Sequence, residues 1–535
     1  MRLDPRALLL FAVVAGPAHA KIKPGIKVIP GVPMRPQDIP AYVPPKLGDD
    51  PPVEPTDVKV VKVTVPEVNI LIRPWMSPLI GNAIEGARLP VRGALPAKRG
   101  CSGKYWYALE PFGYVCSRDV APTTEPASTE PVLKVGQGER LPFQYVMVLV
   151  KEGDKIPMWA SLDDLKQGRD PERQLERGDT VAIEKPYKWD DQPYWISVEG
   201  KVLPQKGTSQ MGQGSAWQGL KLDESTPLPF GWITATKLKA YAQVPAAPKD
   251  AATAELPRRT RVKILDEQTV GKRRWLKVTV AAPPPTEKSQ VFLKTEGKPA
   301  AEEAPPTLPT EELWVAADQV NEARVLPRPS TVPASIERWI DVDLGEQVLV
   351  AYEHDKPVFA TLISSGRAIP TPMGTYPVWA KAAAISMKSQ AYEDKGYFVN
   401  KVPWSTFFQW HNAIHGAYWH DQFGVVKSHG CVNVSPLDAR HVFEWVTPAM
   451  PPGWSGLRPA ELLTSPHVVV RNSKNKKMFR QDRPIGPPDR DLEAQRVVDA
   501  EKRRADEAAA AATAPPATPG TTPAPAPPPA PAPKP

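Results

Sequence analysis

Proline decides how this chain can be divided. It supplies 67 of the 535 residues, more than twice the usual share of about 5 %, and it clusters at 24–55, 121–131, 283–309, 327–333 and 515–535. A residue that fixes φ and lacks an N–H is excluded from helix interiors and central strands. The clusters therefore read as spacers, and the folded units must lie between them. The length alone exceeds what one hydrophobic core usually serves.

Between the spacers the pattern is that of strands. Val58, Val60, Val63 and Val65, then Val68, Ile70 and Ile72, alternate as half-buried strands do, and the segment ends in Tyr105-Trp106-Tyr107 and Gly113-Tyr114-Val115. That ending recurs. Tyr194-Trp195-Ile196-Ser197-Val198 precedes Gly231-Trp232-Ile233 and Leu238, and Trp275-Leu276-Lys277-Val278 precedes Leu313-Trp314-Val315 and Val320. Three small β-barrel units are expected, at 58–122, 140–243 and 255–325. Their aromatics, Tyr105, Trp106, Trp195, Trp232, Trp275 and Trp314, either fill the barrels or line a groove, and strand alternation accounts for their spacing by packing alone.

Residues 1–20 carry Arg2 and Arg6, an apolar run from Ala7 to Gly16, and Ala18-His19-Ala20. This reads as a cleaved export signal, because the apolar run is far shorter than the roughly 20 residues that cross a bilayer. A Pro-rich spacer follows at 21–57. The mature chain is expected in the periplasm or cell envelope, with no transmembrane span. The formal charge of +8 comes without a basic run or an RNA-binding signature, so nucleic acid is not an expected partner.

Export shapes the reading of the three cysteines. Cys101 and Cys116 lie in GCSGKYWYALEPFGYVC, where two strands can turn back on each other; an oxidising compartment favours a disulfide, with two buried thiols as the alternative. Cys431 is then the odd thiol, a candidate reactive group in an exported protein.

Cys431 falls in a longer β-rich domain expected over 336–471. Ile340, Val342 and Leu344 alternate, Val348 to Ala351 and Val358 to Ile363 follow, and Thr371-Pro372-Met373-Gly374 supplies a tight turn. The segment 377–410 holds Tyr392, Tyr397, Trp404, Phe407, Phe408 and Trp410; it reads equally as a lid over a site or as packing. Ser435-Pro436-Leu437-Asp438 starts a helix, with Ala439, Val442, Phe443 and Val446 on one face. Val468-Val469-Val470 closes the domain, and 472–535 is a charged, then Pro/Ala-rich tail.

Four of the eight histidines, His411, His415, His420 and His429, crowd the stretch HNAIHGAYWHDQFGVVKSHGCVN that ends at Asn433. A thiol has a pKa near 8.5 and needs a base to become a nucleophile at neutral pH. Imidazole is that base when a second acceptor fixes its tautomer; Asn412, Asp421, Asn433 and the carbonyl of Gly416 are the candidates. Gly430 lets the amides around Gly430-Cys431 approach a carbonyl as oxyanion donors. A metal site is the rival, since His411 and His415 stand i, i+4 with His420 and His429 to complete a set. The sequence between lacks the glutamate of an H-E-x-x-H hydrolase, so neither metal nor cofactor is expected.

Ile414-His415-Gly416 followed by Ser428-His429-Gly430-Cys431-Val432-Asn433 resembles the signature of the L,D-transpeptidases with a YkuD-type catalytic domain. Ser364-Ser365-Gly366, Thr371-Pro372-Met373-Gly374 and the strand Ile340 to Leu344 support it. The three N-terminal units resemble bacterial Src-homology-3-like modules. The expected fold is thus mainly β and multidomain, small barrels leading to a β-sandwich-like catalytic domain with flanking helices. The resemblance implies Cys431 as nucleophile, His415 as base and the Gly416 carbonyl as its orienter. It has His429 and Asn433 shape the pocket and Ser428 the turn, and Ser428, Asn433, Trp404 and Tyr418 are expected against the substrate.

The implied substrate is a peptidoglycan stem tetrapeptide, with an amine on a second stem or on an envelope protein as acceptor. A wall-binding protein without catalysis and a same-fold enzyme using water are the alternatives. Asn433 stands where many members have arginine, and Pro451 to Pro466 is longer and richer in proline than usual.

Overall fold

The computed structural model describes residues 53–475, apart from 75, 98–99, 248–249, 286–288, 293–306, 368–369, 390–395, 410 and 460–463. The export signal, nearly all of the first spacer and the tail beyond 475 lie outside the described residues, as do Tyr392 and Trp410. Strands dominate, and among the described residues no helix is long and apolar enough to cross a membrane.

The alternation in the first unit is realised as burial. In Val60–Val63 and Glu67–Arg73 every second residue turns inward, and Val61, Val63, Val68, Ile70, Leu89 and Val115 form the core. Val60–Val63 pairs with Arg88–Pro96 and Val120–Thr123, while Glu67–Arg73 pairs with Met76–Ile84 and Tyr114–Cys116. A disulfide joins Cys101 to Cys116 with a Cα–Cα distance of 5.3 Å. Closing a loop of that size restricts the unfolded chain and contributes roughly 3 kcal/mol on a chain-entropy account.

In the second unit Gln144–Val148 is flanked by Thr180–Trp189 and Thr208–Gly214, and the meander continues through Gln192–Ser197 and Val202–Pro204. Here the structure departs from the sequence reading. Phe230–Ile233, expected to close the second unit, pairs with Arg261–Val270 and Val320–Ala323 and so belongs to the third. That sheet runs Leu313–Ala316, Arg273–Ala282, Arg261–Val270, Phe230–Ile233, Val320–Ala323. Periodicity identifies a strand but carries no information about its partner; Phe230 and Trp232 are placed by a cluster that includes Trp217. Trp106, Trp232 and Trp275 are buried, whereas Tyr105 is exposed.

The C-terminal domain is two packed sheets. The first runs Leu220–Lys221, Lys356–Leu362, Val348–Glu353, Arg338–Asp343, His467–Arg471, Gly374–Pro377. In the second, Ala380–Lys388 pairs with Trp454–Leu457 and Phe398–Gln409, and pairing continues through Asn412–Gly416 to Val432–Val434. Ile340, Val342, Leu349, Phe408, Ile414, Val432 and Val434 fill the space between, closed by Ala439, Val442 and Phe443 of the helix Pro436–Trp445. The Ser435 hydroxyl caps that helix by accepting from the Asp438 N–H at 3.1 Å.

The N-terminal units are not beads on a string. Met76–Ile84 pairs with Trp454–Leu457, and Trp454 and Leu457 pack into the core of the first unit. Leu220–Lys221 adds an edge strand to the other sheet.

Candidate active site

Two short parallel strands bring the segments that carry His415 and Cys431 side by side. Ile414 is in register with Val432, His415 with Asn433 and Gly416 with Val434. Neighbouring strands lie about 4.8 Å apart and side chains alternate between faces, so His415 and Asn433 share a face. Cys431 immediately precedes the strand Val432–Val434, two residues before Asn433.

His415 is 2 % exposed, and its Nδ1 lies 3.4 Å from the Gly416 carbonyl oxygen. Burial pushes the imidazole pKa down to about 4, against a smaller upward pull from that carbonyl. The ring is therefore neutral at pH 7. With Nδ1–H directed to Gly416, Nε2 carries the lone pair. The other candidate orienters are occupied: Asn412 donates to Gln409 Oε1 at 2.7 Å, Asp421 is ion-paired with Arg259 at 2.7 Å, and Asn433 faces His420 at 3.0 Å.

Cys431 lies outside the disulfide and is partly exposed; its thiol donates to the His411 carbonyl oxygen at 3.7 Å. The turn before it is tightly built. Gly430 has φ +124°, a backbone region that glycine tolerates and other residues avoid. Ser428 Oγ accepts from the Gly430 N–H at 3.2 Å and donates to the Cys431 carbonyl at 2.5 Å, and Thr371 Oγ1 donates to the Gly430 carbonyl at 2.8 Å. Two expectations change. The Gly430 N–H, expected as an oxyanion donor, is turned to Ser428 in this conformation. Ser428, expected toward the substrate, spends its hydroxyl inside the turn.

Trp404 and Tyr418, both expected against the substrate, are corrected by burial. Trp404 is 4 % exposed in the core between the sheets, and Tyr418 is 0 % exposed. Tyr418 stacks on Tyr145 with ring centroids 3.7 Å apart and donates to the Asn400 carbonyl at 2.7 Å, so Thr180 Oγ1, 2.7 Å away, is the donor to its hydroxyl. Aromatics beside a motif pack as readily as they bind.

His429 is stacked on Tyr397 at 5.0 Å. His411 and His415 cannot share a helix face, because Asn412–Gly416 is a strand. His420, which sequence placed only in the metal alternative, accepts the Gln422 N–H on Nδ1 at 3.1 Å. Its Nε2 then carries the hydrogen, and the neighbouring Asn433 amide must present oxygen to it, since amide oxygen and nitrogen are assigned from the network. Turned that way, the Asn433 NH2 occupies the buried position at which its amide has no partner and becomes a donor on the His415 face. Thr371 was visible only as part of a turn; its spacing gave no sign that it reaches Gly430.

Residues 337–459 match the family model of the L,D-transpeptidase catalytic domain, YkuD. The chain carries a YkuD-type L,D-transpeptidase catalytic domain. Among solved structures, the NMR structure of the catalytic domain of an Enterococcus faecium L,D-transpeptidase is 26 % identical over 25 % of this chain and 95 % of that one, TM-score 0.20. A mutant of E. faecium L,D-transpeptidase with serine in place of a cysteine is 25 % identical over 25 % and 49 %, TM-score 0.20. An L,D-transpeptidase from Mycobacterium smegmatis is 17 % identical over 39 % and 98 %, TM-score 0.21. The chain spans about half the length of the first structures it matches, 49 % in the E. faecium mutant. No curated protein matches the chain.

Proposed function

We propose that this protein is an exported cysteine L,D-transpeptidase acting on peptidoglycan stem tetrapeptides through a thioester at Cys431. The observation that carries the reading is the neutral, buried His415, its Nδ1 toward the Gly416 carbonyl, on the strand beside the one that Cys431 enters. Export to the periplasm or cell envelope is part of the proposal, supported by the leader-like pattern of residues 1–20 and by the Cys101–Cys116 disulfide.

His415 Nε2 takes the thiol proton, and the thiolate attacks the peptide carbonyl of the third, L-configured residue of the stem. As the C–N bond breaks, the imidazolium returns the proton to the leaving D-alanine amine. The thioester then accepts an amine, on another stem or on an envelope protein. That amine loses a proton to His415 and the thiolate leaves, to be reprotonated. Gly416 orients the base throughout, and His429 and Asn433 flank the reacting carbonyl.

Incubating the mature protein with a disaccharide tetrapeptide should release D-alanine and yield a cross-linked dimer, and Cys431→Ala should abolish both. Product undiminished in that variant sinks the mechanism; D-alanine release without a cross-link makes water the acceptor.

A further inference from the structure

The loop from Ala417 to Gly430 leaves the base-bearing strand and returns at the nucleophile. On one side it is tied within its own domain: Gly424 N–H donates to the Ile363 carbonyl at 2.8 Å, and Lys427 and Ser428 N–H donate to Ser365 at 2.9 and 3.0 Å. On the other side it is held by residues from the N-terminal units, more than 90 positions away in sequence. Arg259 makes a two-pronged pair with Asp421, at 2.7 and 3.1 Å, and also donates to the Asp421 carbonyl at 2.9 Å. Arg258 donates to the Phe423 carbonyl at 3.1 Å and Asn321 to the Gly424 carbonyl at 3.0 Å.

We propose that the N-terminal units form part of the catalytic machinery, and that Arg259 is a positioning residue for the Cys431 chemistry. Three observations carry this. The Arg259 side chain is 13 % exposed and lies over the Trp217 ring at 5.1 Å, so the guanidinium is built into the structure rather than a solvated surface charge. Its backbone has φ +69°, a conformation that side-chain-bearing residues hold only when their surroundings enforce it. Its partner Asp421 directly follows His420, which faces Asn433, the register neighbour of His415. The pair therefore fixes the loop residue that touches the reacting face. A planar fork matched to a carboxylate sets orientation as well as attraction.

The inference rests on the transpeptidase reading, and its test separates the two. The full chain is reacted with imipenem, with which a solved L,D-transpeptidase is in complex, and the Cys431 adduct is followed by intact mass over a range of drug concentrations. Arg259→Ala should lower the maximal acylation rate about tenfold or more while the half-saturating concentration stays within about twofold, and Arg259→Lys should recover part of the rate. Asp421→Asn, which keeps shape and removes the charge, should reproduce the loss even where Arg259→Ala fails to fold. Unchanged rates in a folded Arg259→Ala or Asp421→Asn overturn the inference. So does an equal loss in Lys and Ala variants that tracks a lowered melting temperature. A wild type that takes no adduct removes the transpeptidase reading itself, and this inference with it.

Discussion

The strand pair that presents His415 and Cys431 and the loop that joins them are held in opposite ways. The strands are fixed from inside: Ile414, Val432 and Val434 sit in the core between the two sheets, and the capped helix packs behind them. The loop, besides its ties within the domain, is also fixed from outside, by Tyr145, Thr180, Arg258, Arg259 and Asn321 of units remote in sequence. On the proposed function, the site would draw reactivity from one domain and placement from others. Damage to the first should remove chemistry, and damage to the second should degrade it.

The largest effect tests the inside half. His415→Gln keeps volume and polarity but removes the proton acceptor, and general-base catalysis is worth roughly 10²–10⁴-fold. Acylation of Cys431 should slow by that order at pH 7. It should also climb with pH toward about 8.5, as the thiol ionises without help. A pH-independent residual rate, or one near wild type, would assign the base to another group.

A smaller effect tests the outside half. Tyr418→Phe retains the stack on Tyr145 but strands the buried Asn400 carbonyl and the Thr180 hydroxyl. An unsatisfied buried polar group costs about 1–3 kcal/mol. Urea unfolding should show a loss in that range, with acylation falling less than in His415→Gln. A loss of acylation as large as that of His415→Gln would erase the distinction between the two halves.

The two halves also differ in how much the sequence revealed. The inside half is local: alternation marks Ile340–Leu344, the Ser435-Pro436 start announces the helix, and His415 and Cys431 stand in one short stretch. Burial patterns and capping act over a few residues, so they leave a linear trace. The outside half is not local. Arg259 and Asp421 are 162 positions apart, and nothing in the run Pro257-Arg258-Arg259-Thr260 distinguishes a buried fork from a solvated basic pair. Phe230–Ile233 was legible as a strand, but its partners depend on which surface covers Trp232. Trp404 and Tyr418 were legible as aromatics near a motif, yet the surroundings that bury them come from other elements.

The smallest effect lies where the halves touch, at His420. Burial first, then the positive charge of Lys427, pushes its pKa down to about 3, against an upward pull from Asp421. The unfolded chain binds this proton near pH 6.5, so the unfolded state is the more protonated one at any pH between about 6.5 and 3. Stability is full above pH 6.5 and declines as pH falls through that window. From pH 6.5 to 5.5 the loss for one such group is about 1 kcal/mol. His415, lowered to about 4 by burial, adds a similar amount over the same interval. His420→Gln, whose amide can still accept from Gln422 and donate to Asn433, should therefore reduce the acid slope of urea-unfolding midpoints by about one proton. If the slope stays at the wild-type value, His420 is open to water in the folded chain. The loop would then not be closed against the reacting face, and the outside half would hold the chain's position without sealing the site.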